Sequence, residues 1–297
     1  MKLQSKRIQG DNDGPHLLIT GGVHGDEFEP MVAIRRLMKT VSASQLRGTV
    51  TLVPVVNEAA FMHGQRTAED GLDLARICPG DPNGSVTEQV GHALSELIRT
   101  SDYYIDLHTG GNIMDVFPLS GYSLVANQET LDVQRRMAKA FNLPFVWGTN
   151  GTLDGRSLSV ARDANVPAIY AEYLGSGLCH PEGVQDYFDG CLNVMRELGM
   201  MDHEQPASRV QYVVEDNRPN AGYLQIRNPA PINGLFEPQV ELGGRVEAGQ
   251  PLGTVSDVLG DQVMTVPSDA TGLVVCLRSF SRVLQEDALA VVVDTGD

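Results

Sequence analysis

Short apolar runs alternate with amphipathic stretches over the first two-thirds of the chain. Leu17-Leu-Ile-Thr20 is a compact apolar run that stops at Gly21-Gly22, the pattern of a buried strand entering a turn. Beyond Pro30, Met31, Ile34, Met38 and Val41 recur at helical spacing with Arg35, Arg36 and Lys39 between them, which predicts an amphipathic helix. Thr49 to Val56 is β-branched and apolar and reads as a buried strand, and Tyr103 to Leu107 as another. Ser85-Val-Thr-Glu88 is a capping-box pattern ahead of Val90, Leu94, Leu97 and Ile98, so a helix starts there. A helix from about Thr130 to Phe141, a strand from Ala168 to Tyr173, and a helix carrying Val184, Phe188, Cys191, Met195 and Leu198 and ending at Gly199 complete the series. Such alternation predicts an α/β layered domain.

The pattern changes after about Met201. The polar stretch from Met201 to Ser208 reads as a linker, and short strand-like runs broken by Gly and Pro every 8 to 12 residues follow it, the rhythm of a small all-β unit. The expected organisation is therefore a catalytic domain over residues 1–205 and a small β domain over residues 206–297.

Composition narrows the range of functions. Hydrophobic residues make up 42% of the 297 and charged residues 20%, enough for a packed core and too apolar for a disordered chain. The formal net charge of −16 would repel nucleic acid and anionic membranes, so neither is an expected partner. No signal peptide is visible in the polar stretch from Met1 to Asp13, and no apolar run approaches the ~20 residues that span a bilayer. Cys78, Cys179, Cys191 and Cys276 are scattered without a CxxC pair, which suits reduced thiols and a cytoplasmic location.

Three clusters carry candidate chemistry. His24 and Glu27, in Gly21-Gly-Val-His24-Gly-Asp-Glu27, lie where a strand end meets a helix start; three residues apart, they can aim at one point and offer zinc donors. An HxxE pair also arises on ordinary surfaces, so alone it decides little. His108, in Asp106-Leu-His108-Thr-Gly110, sits at the end of a second buried strand, with Asp106 on the same face as a partner for its ring or for a charge elsewhere. Glu172, near the end of the apolar strand Ile169-Tyr-Ala-Glu172, would be costly to bury without a purpose and could carry a proton, or pair with an arginine at the sheet's edge.

Gly21 to Glu27, the spaced Asn57, Phe61 and Arg66, Asp73-Leu-Ala-Arg76-Ile-Cys-Pro-Gly80, Asp106 to Gly110 and Tyr170 to Gly175 occur in one order. Together they resemble the succinylglutamate desuccinylase/aspartoacylase family of zinc deacylases, relatives of the zinc carboxypeptidases, over roughly residues 15–200. The resemblance implies a carboxypeptidase-like α/β fold, a mixed sheet flanked by helices. It implies one Zn2+ per chain on His24, Glu27 and His108, with Glu172 as general base and acid and Arg66 stabilising the oxyanion. Arg76, Asn57 and Asp73 would bind a small-molecule N-acyl substrate, Arg76 by gripping its carboxylate. The chain departs from the family pattern at Ala75, where Asn is usual, and at Cys78, often Phe, so one hydrogen-bond donor to that carboxylate is missing.

The stretches from Gly234 to Gly253 and from Val266 to Val274 resemble the barrel-sandwich domains that carry lipoyl or biotinyl groups on a lysine. No lysine follows Lys139, so covalent attachment of that kind is excluded. The resulting expectation is a cytoplasmic zinc amidohydrolase acting on a small N-acyl amino acid or amine, with a homo-oligomer left open. A metallocarboxypeptidase and a non-catalytic zinc- or ligand-binding protein are the alternatives.

Overall fold

The computed structural model describes residues 2–202, 204–219, 221–224 and 227–296. Met1 and His203, which belong to the polar N-terminus and the expected linker, lie outside the described residues. The helices are α1 (Phe28–Thr40), α2 (Glu58–His63), α3 (Leu74–Ile77), α4 (Val86–Arg99), α5 (Gln128–Phe141), α6 (Ser157–Asp163) and α7 (Pro181–Glu197). The strands of the first part are β1 (Lys6–Gln9), β2 (Asn12–Thr20), β3 (Arg47–Val53), β4 (Tyr103–Leu107), β5 (Met114–Leu124), β6 (Phe145–Asn150), β7 (Ala168–Gly175) and β8 (Tyr212–Asp216). Those that follow are β9 (Gly234–Pro238), β10 (Arg245–Val246), β11 (Pro251–Ser256), β12 (Val263–Pro267), β13 (Gly272–Arg278), β14 (Arg282–Val283) and β15 (Ala290–Val293).

The chain is a mixed α/β fold around an 11-stranded sheet, with a separate antiparallel sheet of β12, β11, β9 and β14. In the large sheet β2, β4 and β7 are parallel neighbours, β4 in the middle, and all three point the same end at the site. Alternation along these strands divides the core. Leu17, Ile19, Ile105, Leu107, Ile169 and Ala171 face one way, onto α1, α5 and α7. Leu18, Tyr104 and Ala168 face the other way, onto α3, α4 and α6. Strands buried on both faces need no polar alternation, which is why they read as unbroken apolar runs.

Several boundaries differ from the sequence pattern for local reasons. The strand expected over 49–56 ends at Val53, ahead of Pro54, which has no N–H for a ladder. α5 starts at Gln128 because Asn127 Oδ1 accepts from Thr130 N at 3.1 Å and caps it. At the start of α4, Glu88 Oε2 accepts from Ser85 N at 2.8 Å. The long strand β5 was not legible, since Asp115, Pro118, Ser120 and Gly121 interrupt its apolar positions.

The later strands do not all stay in the small sheet. β13 pairs antiparallel with β5, Cys276 opposite Val116, while β10 and β15 flank β13 and β8 pairs parallel to β6. Leu273, Val275, Cys276, Val291 and Val293 pack with Met114, Val116, Phe145 and Trp147 in one core cluster. Among the described residues no helix is long and apolar enough to cross a membrane. Cys78, Cys191 and Cys276 are buried, whereas Cys179 is exposed.

Candidate metal centre

His24 lies four residues beyond the end of β2, in a turn that glycine makes feasible. A side chain at Gly25 would meet the backbone of Ala60 on α2 at 2.0 Å, so only glycine lets the turn press against that helix. Glu27 is the N-cap of α1, yet its side chain makes no capping hydrogen bond. A carboxylate at that position normally satisfies backbone N–H groups. Here it turns to the imidazoles, with Oε1 2.6 Å from His24 Nδ1 and Oε2 3.0 Å from His108 Nδ1. One ligand atom from each of His24, Glu27 and His108 lies within 4.8 Å of the others.

Each imidazole is held from its far side by a second carboxylate. His24 Nε2 lies 3.1 Å from Asp73 Oδ1, and His108 Nε2 lies 3.1 Å from Asp106 Oδ2. Asp106 also accepts from Thr20 Oγ1 at 2.9 Å and from Ser157 Oγ, so its orientation is fixed from three directions. Metal-bound histidines are oriented in this way by outer carboxylates, which leave the inner nitrogen free to coordinate.

The electrostatics fit a cation. Burial alone pushes Glu27 up, but His24 and His108 outweigh it and bring the carboxyl down to about 2. Burial pushes the His108 imidazolium down, yet Asp106 and Glu27 outweigh that and hold its pKa well above 6.5. A buried imidazole that gathers a proton against desolvation marks a site short of positive charge. Two imidazoles and a carboxylate converging on one point form the donor set of a catalytic zinc site.

Glu172 stands near the end of β7. Ala171 is in register with Leu107, and His108 N donates to Ala171 O at 2.8 Å, so Glu172 on β7 lies level with His108 just past the end of β4. Its Oε2 is buried with no hydrogen-bond partner among the described residues. Burial pushes its pKa up to about 8, with Glu27 and Asp106 adding to the shift and His108 and Arg66 opposing it.

A cleft of about 150 Å³ opens beside these groups, and His24, Glu27, His108, Arg66, Arg76 and Glu172 all line it. Arg66 donates through Nε and Nη2 to Asp73 Oδ2 at 3.1 and 3.0 Å, which leaves Nη1 beside His24. At the other end, Arg156 lies beside Arg76, and the ring of Tyr223 lies 4.7 Å from the Arg156 guanidinium carbon and 5.8 Å from that of Arg76. Gly155 permits this approach: its φ is +79°, and a Cβ there would meet the Arg76 carbonyl oxygen at 2.3 Å. Burial lowers the pKa of both arginines, and the neighbouring Arg76 charge lowers Arg156 further. Arg156 Nε is buried with no hydrogen-bond partner among the described residues.

Asn57 and Asp73, expected to bind substrate, do not line the cleft. Asn57 is fully buried as the N-cap of α2, its Oδ1 accepting from Ala60 N at 3.1 Å. Asp73 caps α3 by accepting from Ala75 N at 2.9 Å, and its remaining capacity goes to His24 and Arg66. The Asn57 Nδ2 is buried with no hydrogen-bond partner among the described residues. Arg156, Ser157 and Tyr223 were not singled out from the sequence; a lone arginine after Asp154-Gly155 carries no local signal beyond a turn.

Residues 13–198 match the family model of the succinylglutamate desuccinylase/aspartoacylase catalytic domain. The chain belongs to the succinylglutamate desuccinylase/aspartoacylase family. It is 30% identical over 289 residues to the N-alpha-acetyl-L-2,4-diaminobutyric acid deacetylase of Halomonas elongata, covering 95% of this chain and 83% of that one. A succinylglutamate desuccinylase/aspartoacylase crystal structure from Rhodobacter sphaeroides superposes with a TM-score of 0.89 at 26% identity, over 98% of this chain and 89% of that one. The product-bound ectoine utilization protein EutE (DoeB) of Ruegeria pomeroyi gives 0.88 at 27% identity, over 97% and 87%. Membership of the succinylglutamate desuccinylase/aspartoacylase family makes this chain a hydrolase of amide bonds, a deacylase.

Proposed function

We propose that the chain is a zinc-dependent deacylase that hydrolyses the amide bond of a small N-acyl amino acid or N-acyl amine. The observation that carries this reading is the Glu27 carboxylate reaching both imidazoles at 2.6 and 3.0 Å while Asp73 and Asp106 hold the opposite nitrogens. His24, Glu27 and His108 would hold the metal. When bound, zinc supplies a Lewis acid and brings the pKa of the attacking water towards ~7.

The remaining steps belong to the chain's own side chains. Glu172 Oε2 has no partner among the described residues, so it accepts the proton of the attacking water and returns it to the departing nitrogen. Arg66 is anchored by Asp73 through two of its nitrogens, and its remaining Nη1 donates to the oxyanion as negative charge develops there. Arg76 and Arg156, with Tyr223 against both, take the anionic end of the substrate. Asn57 and Asp73 act from behind, by shaping α2 and by holding His24 and Arg66. A division into catalytic residues 1–205 and a β-rich remainder 206–297, whose β8 and β13 complete the catalytic sheet, and a cytoplasmic location belong to the same reading.

The test is a panel of N-acetyl, N-succinyl and N-formyl amino acids, including N-acetyl-2,4-diaminobutyrate, assayed with metal-quantified protein. Glu172→Gln should keep stoichiometric zinc and lose turnover by about 10²–10⁴-fold. His24→Ala should lose the metal. Undiminished turnover in the first variant or full zinc occupancy in the second would refute the assignment.

A further inference from the structure

The segments that carry the three ligand candidates are held from behind by one helix. Tyr187 on α7 is fully buried, and its Oη donates to the His108 carbonyl. The β4–β7 register ends at the Leu107–Ala171 pair, so this carbonyl lies one residue beyond the strand, and a side chain from another layer takes it. The Tyr187 ring is locked edge-on between Phe141 at 6.0 Å and Tyr173 at 6.2 Å, which fixes where that hydroxyl points.

A second contact leaves the N-terminus of the same helix. His180, the N-cap of α7, donates its backbone N–H to Glu29 Oε1 at 3.0 Å, and its Nδ1 lies 2.7 Å from the same oxygen. Glu29 is fully buried in the first turn of α1, two residues beyond Glu27. The two contact points are seven residues apart, roughly 10 Å along the helix axis. One falls on each of the two segments that supply the donors.

We propose that Tyr187 and His180 are positioning residues of the metal centre. α7 fixes His108 through its carbonyl and Glu27 through the first turn of α1, so the donors are gathered before a cation arrives. Asp73 and Asp106 set the orientation of the imidazole rings; α7 sets where the backbones beneath them stand. The inference rests on the zinc reading above and goes beyond it by naming what makes the site rigid.

The experiment is zinc affinity measured by competition with a chromophoric chelator, alongside the melting temperature of the chelator-stripped protein. Tyr187→Phe keeps the ring and removes only the donor, and His180→Asn keeps an N-cap residue while shortening the reach to Glu29. Each should weaken zinc binding about 10–100-fold, the usual effect of losing a residue that supports a ligand. Val184→Ala, a buried α7 position outside both contacts, should lower the melting temperature and leave affinity unchanged. Unchanged affinity in both polar variants would overturn the proposal, as would an equal loss of affinity in Val184→Ala. Wild-type protein with no measurable zinc affinity would overturn the metal centre itself, and the brace with it.

Discussion

Asp73 holds His24 with one carboxylate oxygen and Arg66 with the other, at 3.1 Å from Nε2 and 3.0 Å from Nη2. Burial pushes its pKa up, but the hydrogen bond to His24 and the Arg66 charge outweigh that and hold the carboxyl far below its ordinary value. One side chain thus ties a ligand candidate to Arg66, the residue proposed to stabilise the oxyanion. Asp73→Asn retains the N-cap to α3 but loses the charge that orients both partners. The expected result is a 10–100-fold loss in both zinc affinity and kcat. Chelator competition and steady-state assays check it, and a variant impaired only in KM would return Asp73 to substrate binding.

Glu172 makes the stability of metal-free protein depend on pH. Its pKa of about 8 in the folded chain compares with an ordinary 4.5, which the unfolded chain adopts. Below pH 4.5 both states hold the proton, and the group's favourable contribution to folding is fully present. As pH rises from 4.5 through 8 the unfolded chain gives up the proton first, and that contribution is lost. At one proton-binding unit per 1.36 kcal/mol the effect is on the order of 2–4 kcal/mol once partial exposure is allowed for. Chelator-stripped Glu172→Gln should therefore gain in melting temperature on the wild type between pH 5 and pH 8.5. A difference between the two that stays constant with pH would rule out the raised pKa.

Arg156 should act on binding more than on chemistry. It lies beside Arg76 against the Tyr223 ring, in the cleft wall, with its Nε unpartnered among the described residues. Arg156→Met removes the guanidinium and keeps much of the stem. KM for N-acyl amino acids should rise at least about 10-fold with kcat little changed, while neutral N-acyl amines should be hydrolysed as before. An equal fall in kcat for both substrate types would place Arg156 in the chemical step.

The parts of this site that were legible in the sequence share one property. His24, His108 and Glu172 each follow or end a short apolar run beside glycines, so strand, turn and donor appear together within eight residues. The parts that were not legible depend on distant partners. Arg156 gains its meaning from Arg76, 80 positions earlier, and from Tyr223, 67 positions later, contacts that no local pattern encodes. Asn57 and Asp73 carry polar groups suited to a substrate, and only the coordinates show that neither lines the cleft, the Asn57 oxygen capping α2 and Asp73 capping α3 and holding His24. The apolar run from Leu273 to Cys276 suits a strand, but whether it joins its sequence neighbours or β5 is a question of long-range pairing.

That pairing sets the fate of the catalytic segment alone. A fragment of residues 1–205 would lose Leu273, Val275, Cys276, Val291 and Val293, which cover Met114, Val116, Phe145 and Trp147. At about 1.5–3 kcal/mol for each buried side chain, these five contribute on the order of 10 kcal/mol, as much as the whole net stability of a typical domain. The fragment would also expose the edges of β5 and β6 that β13 and β8 cover, and bare edges invite aggregation. It should appear in inclusion bodies or as soluble aggregates, without a cooperative melting transition. Size-exclusion chromatography and calorimetry check this. A monomeric fragment with a sharp transition and wild-type zinc affinity would show that the first 205 residues stand on their own, and that the β13–β5 pairing adds little to the core it covers.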